Sequence, residues 1–220
     1  MYAYRFGKKD FRDPMEGASM IEMTEKLEDL MNELKKNHAE TYYHCLHVKN
    51  LTYKILRQLN LAGAPDFGDD EICHICKGAL LHDIGKLFIK NATLTKSSAL
   101  QASEMDDMKL HARLGAEAVK GELTGYERDI VSNVCRYHHE RIDGTGYEGL
   151  TDVPLYVQAV SICDVFDALH CDRIYRDGLP PEKIFDMIRT GKCGRFDETL
   201  LHCLIKAVGD TNQRRELCAL

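Results

Sequence analysis

His38 to Asn60, HAETYYHCLHVKNLTYKILRQLN, places His44, Val48, Leu51, Ile55 and Leu59 at intervals of three and four residues. That spacing gathers side chains on one face of an α-helix. The segment stops before Ala62-Gly63-Ala64-Pro65, a composition that ends helices. Upstream, residues 16 to 36 repeat the period with Met20, Met23, Leu27, Leu30, Met31 and Leu34 against a Glu/Lys-rich remainder. Downstream, the pattern predicts helices over 70–82, 111–121, 125–139, 154–171, 181–190 and 197–208. No run alternates as a strand does, so the expected fold class is all-α. Two segments resist a helical reading. Residues 87–103 carry Asn91-Ala92-Thr93 and Ser97-Ser98, and residues 141–153 read RIDGTGYEGLTDV, with three glycines in six positions from Gly144; both are expected as loops.

The chain has 220 residues, 44% hydrophobic and 29% charged, enough for one good core. We expect an N-terminal amphipathic helical segment, residues 1–37, packed on a main domain of residues 38–220. The Met/Leu stripe of the segment can seat on that domain or form the seam of a homodimer, and we expect the former. A formal net charge of −6 argues against a nucleic-acid duplex as partner, because binding the phosphate backbone needs a basic face. The first twenty residues lack a signal-peptide apolar core and no stretch is apolar enough to span a bilayer, so the expected compartment is the cytoplasm, without a membrane partner. Nine cysteines, an odd number set mostly in periodic apolar segments, read as reduced thiols. Cys73 and Cys76 have CxxC spacing without a second pair and are assigned to core packing.

The chemistry-bearing residues form an ordered series: His44, then His82-Asp83-Ile84-Gly85-Lys86, His111, His138-His139-Glu140 and Asp164. Adjacent His and Asp offer an imidazole and a carboxylate able to bridge two cations. Two cations about 3.5 to 4 Å apart can activate a bridging water and neutralise an attacked phosphate. Lys86 follows Asp83 by three residues, about one turn if the helix continues, so its ammonium can face the same pocket and stabilise phosphate charge.

The whole series, extended by Arg141-Ile142-Asp143-Gly144-Thr145-Gly146-Tyr147 and by Asp164-Val165-Phe166-Asp167-Ala168-Leu169, resembles the HD-GYP subgroup of the HD-domain phosphohydrolases from about residue 40 to about 200. The resemblance takes in Leu94, Lys96, Glu104, Arg173, Tyr175, Arg176 and Phe196-Asp197. It implies an all-α HD-domain helical bundle, a site for two or three divalent metal ions, iron or manganese, and phosphodiesterase activity on cyclic di-GMP or a related cyclic dinucleotide. It further implies Asp83 as the bridge between two ions, with His82, His44 and Asp164 completing one site and His111, His138 and His139 completing the other. Asp83 and Lys86 would be catalytic, with Lys86, Tyr147, Arg173 and Arg176 against the substrate and Asp143 and Asp167 orienting ligand histidines. Glu40, one turn before His44, would hold a third ion; otherwise it is a solvated helix carboxylate. Glu148 stands where the signature has proline, so an anionic side chain is expected beside the site and Glu148→Pro is expected to raise activity on cyclic di-GMP. Hydrolysis of another nucleotide phosphoester, or a non-catalytic nucleotide-binding or interaction module, remains the alternative.

Overall fold

The computed structural model describes residues 21–63, 66–94, 96, 100–172 and 177–209. The described residues form α1 (Glu25–Asn37), α2 (Ala39–Leu61), α3 (Asp69–Leu81), a 3-10 turn (Ile84–Phe88), α4 (Asn91–Leu94), α5 (Ala102–Lys120), α6 (Gly125–Tyr137), α7 (Leu155–His170), α8 (Pro181–Arg189) and α9 (Glu198–Gly209). Among them there is no strand, only an isolated bridge between Lys192 and Gly194, and the architecture is an all-α bundle.

Capping explains where several helices start. Thr24 Oγ1 accepts from the Leu27 amide at 3.3 Å and starts α1, with Glu25 and Glu28 in the first turn and Lys35 and Lys36 in the last, as the helix dipole favours. Residues 21–24 are not helical, so α1 begins nine residues later than the expected 16; Met20 lies outside the described residues. The helix carrying His111 starts nine residues earlier than expected, at Ala102, because Gln101 and Glu104 form a reciprocal capping box. The supposed loop 87–103 therefore holds the end of the 3-10 turn, all of α4 and the start of α5.

Two apolar clusters hold the bundle. The larger joins Val48, Leu51, Ile55 and Leu59 of α2 to Val157 and Phe166 of α7 and Leu200 and Leu204 of α9. The second sets Leu27, Met31 and Leu34 of α1 against Cys45, Leu81, Ile84, Ala116 and Val131. Burial of such side chains contributes about 1.5–3 kcal/mol each. The α1 stripe thus packs on its own chain, next to the segment that carries His82 and Asp83. Glycine permits the closest approach: a Cβ on Gly85 would lie 1.9 Å from the His111 carbonyl oxygen and 2.6 Å from the Gly115 amide nitrogen. The 3-10 turn can therefore lie directly on α5. No described helix is long and apolar enough to cross a membrane.

Candidate metal centre

Five elements deliver the polar centre. His44 comes from the first half of α2, His82 and Asp83 from the end of α3, His111 from the middle of α5, His138 and His139 from the end of α6, and Asp164 from α7. Within this set His111, His138 and His139 form one group, and His44, His82 and Asp164 another, whose ligand atoms all lie within 4.8 Å of each other. Asp83 stands between them. Its Oδ1 lies 3.3 Å from His111 Nε2 and 4.0 Å from His138 Nε2, while its Oδ2 lies 2.5 Å from Lys86 Nζ and 3.5 Å from His82 Nε2.

Three of the histidines are oriented by their own helices. His82 Nδ1 donates to the Ala79 carbonyl at 2.7 Å, His111 Nδ1 to Met108 at 2.6 Å and His138 Nδ1 to Cys135 at 2.9 Å. His82 and His138 are helix C-caps, where the last carbonyls have no partner within the helix. His44 Nδ1 is held instead by Asp167 Oδ2 at 2.5 Å, and its Nε2 lies 3.0 Å from Asp164 Oδ1. Each arrangement gives Nδ1 an acceptor and turns Nε2 inward, the orientation that ligation through a deprotonated Nε2 requires.

The electrostatics divide the centre. Burial lowers the basicity of His44, but Asp164 and Asp167 outweigh it and raise the pKa to about 10. Burial is likewise overcome at His82 by Asp83, giving about 9. At the other end burial brings His139 down to about 3 and, with neighbouring His139, holds His138 well below the ordinary imidazole range. Asp83 resists the upward push of burial because Lys86, His82 and His111 keep it well below the carboxylate range. Asp164 and Asp167 are held low against burial by His44 in the same way, so three ionised, buried carboxylates draw positive charge toward themselves.

A divalent ion fits the residues present. His82 Nε2 is buried without a hydrogen-bond partner, a costly state for a polar atom in the core, and a Lewis acid would satisfy it. Nitrogen and carboxylate donors together suit first-row transition metals. Cys45 also joins His82 and Asp83 in a group of candidate ligand atoms; its adjacency to His44 is the only sequence signal for it.

Other expected site residues are placed variously. Lys86 sits on the 3-10 turn rather than on a continued helix, and it reaches Asp83 all the same. Tyr147 stacks on His139, centroids 4.2 Å apart, and lines a cleft of about 410 Å³ with Arg141, Lys192 and Cys193; the Gly191–Gly194 turn was not anticipated. Glu40 is half-buried and joins neither ligand group. Arg173, Tyr175 and Arg176 lie outside the described residues. Asp167 binds His44, whereas Asp143 accepts from the amide and hydroxyl of Thr145 at 3.2 and 2.7 Å and orients no ligand histidine in this way.

The expectation for Glu148 needs correction. Its carboxylate turns outward onto Arg136, with contacts of 3.0 and 3.3 Å, and does not add charge to the centre. Its amide donates to Glu140 Oε1 at 2.8 Å, and the Leu150 amide donates to Oε2 at 2.9 Å. Glu140 is fully buried and organises the glycine loop, a role the sequence did not reveal. A proline at 148 would delete one of these donors.

The model of the HD domain family matches residues 41–169. The chain belongs to the HD-domain family. Among curated relatives, this HD-domain chain is 32% identical to a cyclic di-GMP phosphodiesterase of Pseudomonas aeruginosa over 80% of its own length and 41% of that protein. It is also 32% identical to 3'3'-cGAMP-specific phosphodiesterase 3 of Vibrio cholerae, over 75% of this chain and 35% of that one. The HD-domain chain spans between 31% and 41% of the length of the first three curated relatives it matches. Such relatives agree with the HD-GYP-like pattern of its motifs. Among solved structures, an HDG"Y"P protein from Bdellovibrio bacteriovorus superposes with a TM-score of 0.59 at 21% identity, covering 76% of this chain and 52% of that one. The HD domain of the L. monocytogenes phosphodiesterase PgpH in complex with cyclic-di-AMP gives 0.55 at 15% identity, covering 84% and 96%. These likenesses establish the fold.

Proposed function

We propose that this HD-domain chain is a metal-dependent phosphodiesterase that hydrolyses cyclic di-GMP or a related cyclic dinucleotide. The observation that carries the proposal is the division of labour within Asp83, whose Oδ1 faces His111 and His138 while Oδ2 faces His82 and Lys86. A carboxylate so placed is suited to join two ions. His44, His82 and Asp164 would hold one, His111, His138 and His139 the other, with Glu40 reserved for a third. Iron or manganese is our assignment from the donor set.

When bound, the ions supply an activated water and neutralise charge on the phosphate. The chain's own residues do the rest. Asp83 outweighs burial and keeps the Lys86 ammonium above the usual lysine range, so Lys86 stays charged beside the centre and can stabilise a developing phosphate anion. Tyr147, seated on His139, and the adjacent cleft offer an aromatic and cationic wall for a nucleotide, with Arg173 and Arg176 proposed as further phosphate contacts. We assign the catalytic unit to residues 38–220 and the N-terminal segment to 1–37, a division supported by the packing of α1 through Leu27, Met31 and Leu34 with Leu81 and Ile84.

The test is anaerobic purification with elemental analysis, then turnover of cyclic di-GMP, cyclic GMP-AMP and nucleoside monophosphates by the metal-replete chain. Linearisation of a cyclic dinucleotide is expected. Efficient cleavage of monophosphates with every cyclic dinucleotide left intact would replace this proposal by a general nucleotide phosphohydrolase, and binding without turnover by a nucleotide-binding module.

A further inference from the structure

Beyond the ligand groups around Asp83, one more cluster has the spacing of a metal site. His47 Nδ1 lies 3.1 Å from Asp167 Oδ1, Cys171 Sγ lies 3.3 Å from the same oxygen, and Cys171 Sγ lies 3.9 Å from His47 Nδ1. Zinc bonded tetrahedrally at ~2.0–2.1 Å to nitrogen and oxygen and ~2.3 Å to sulfur separates its ligand atoms by about 3.3–3.6 Å. The observed triangle lies close to that figure. Its two shorter edges also match the spacing at the main centre, where His111 Nε2 stands 3.3 and 3.2 Å from His138 Nε2 and His139 Nε2, and the Cys171–His47 edge is longer.

The chemistry of the three donors suits a cation. His47 meets the cluster through Nδ1, and its Nε2 is buried with no hydrogen-bond partner. A thiol is a weak hydrogen-bond donor but, once ionised, a strong ligand for zinc. His47 and Asp167 are buried while Cys171 is half-exposed. Asp167 meets His44 through Oδ2 and the cluster through Oδ1. The two sites therefore share a residue without sharing an atom.

We propose that His47, Asp167 and Cys171 form a separate binding site for a thiophilic divalent cation of the zinc class. Binding joins the cation to His47 Nδ1, Asp167 Oδ1 and Cys171 Sγ and releases the thiol proton to solvent. The site is independent of the phosphodiesterase reading, since none of its three residues was assigned to hold the catalytic ions.

The full chain, stripped of metal, is titrated with Co(II) as a coloured probe and with Zn(II) for stoichiometry. A thiolate-to-cobalt band in the near ultraviolet is expected in the wild type and in Cys45→Ser, and absent from Cys171→Ser. Zinc content should fall by about one ion per chain in Cys171→Ser and in His47→Gln, with the remaining ions retained. An unchanged band and stoichiometry in Cys171→Ser, or a band abolished by Cys45→Ser alone, would overturn the proposal; the latter would place the thiolate at the main centre. Folding of all three variants is checked by helical circular dichroism, and His47→Gln keeps a neutral polar side chain, so it reports independently of the cysteine.

Discussion

The amide of Glu148 donates to the fully buried carboxylate of Glu140, 2.8 Å away. The residue that departs from the HD-GYP signature thus works through its backbone, while its side chain lies on the surface against Arg136. Glu148→Pro should therefore lower stability by about 1–3 kcal/mol, because it strips a donor from a buried charged acceptor, and should lower turnover of cyclic di-GMP. Glu148→Gln, which removes only a surface ion pair worth about 0–1 kcal/mol, should leave both nearly unchanged. Thermal melts and initial rates on the two variants check this; a faster Glu148→Pro enzyme would restore the expectation drawn from the motif.

Asp83 and Lys86 touch, yet they should fail differently. Asp83→Ala should lose both strongly held ions and all hydrolysis while keeping its helices. Lys86→Ala should keep its metal but lose about a hundredfold or more in rate, the scale of removing one preorganised donor. Elemental analysis beside single-turnover kinetics separates the two, and loss of metal from the lysine variant would make its role structural.

Glu40→Gln tests the third ion. If Glu40 ligates, saturated protein should carry about one ion fewer per chain, with the pair around Asp83 intact. Equal stoichiometry would return Glu40 to a half-buried helix carboxylate.

Gly85→Ala probes the contact that brings Asp83 to α5. The added methyl meets the His111 carbonyl and the Gly115 amide, both main-chain groups that cannot rotate aside, so a loss of about 1–3 kcal/mol or more is expected. Urea midpoints measured with and without added metal should both fall, and metal content should fall with them. A variant of unchanged midpoint and metal content would show that the turn and α5 can part at little cost.

Much of this was legible in the sequence, for identifiable reasons. Val48, Leu51, Ile55 and Leu59 announce α2 because burial on one face demands that period. The order of His44, His82-Asp83, His111, His138-His139 and Asp164 points to a metal centre because few other uses need those donors together. The start of α5 was missed because a Gln101 cap is a weaker signal than Ser, Thr, Asp or Asn. Glu140 stands in the motif, but its hold on the glycine loop is not legible because burial of a single carboxylate leaves no periodic trace. The His47, Asp167 and Cys171 cluster joins residues up to 124 positions apart, a proximity that exists only once α2 and α7 have packed.

The anchoring of His82, His111 and His138 by carbonyls three residues earlier in their own helices has an evolutionary consequence. Their aim is written into main-chain geometry and needs no side-chain functional group at 79, 108 or 135. His44 has no such insurance. Its direction depends on the carboxylate of Asp167 from another helix, so among these four histidines it is the one that a single distant substitution can misdirect.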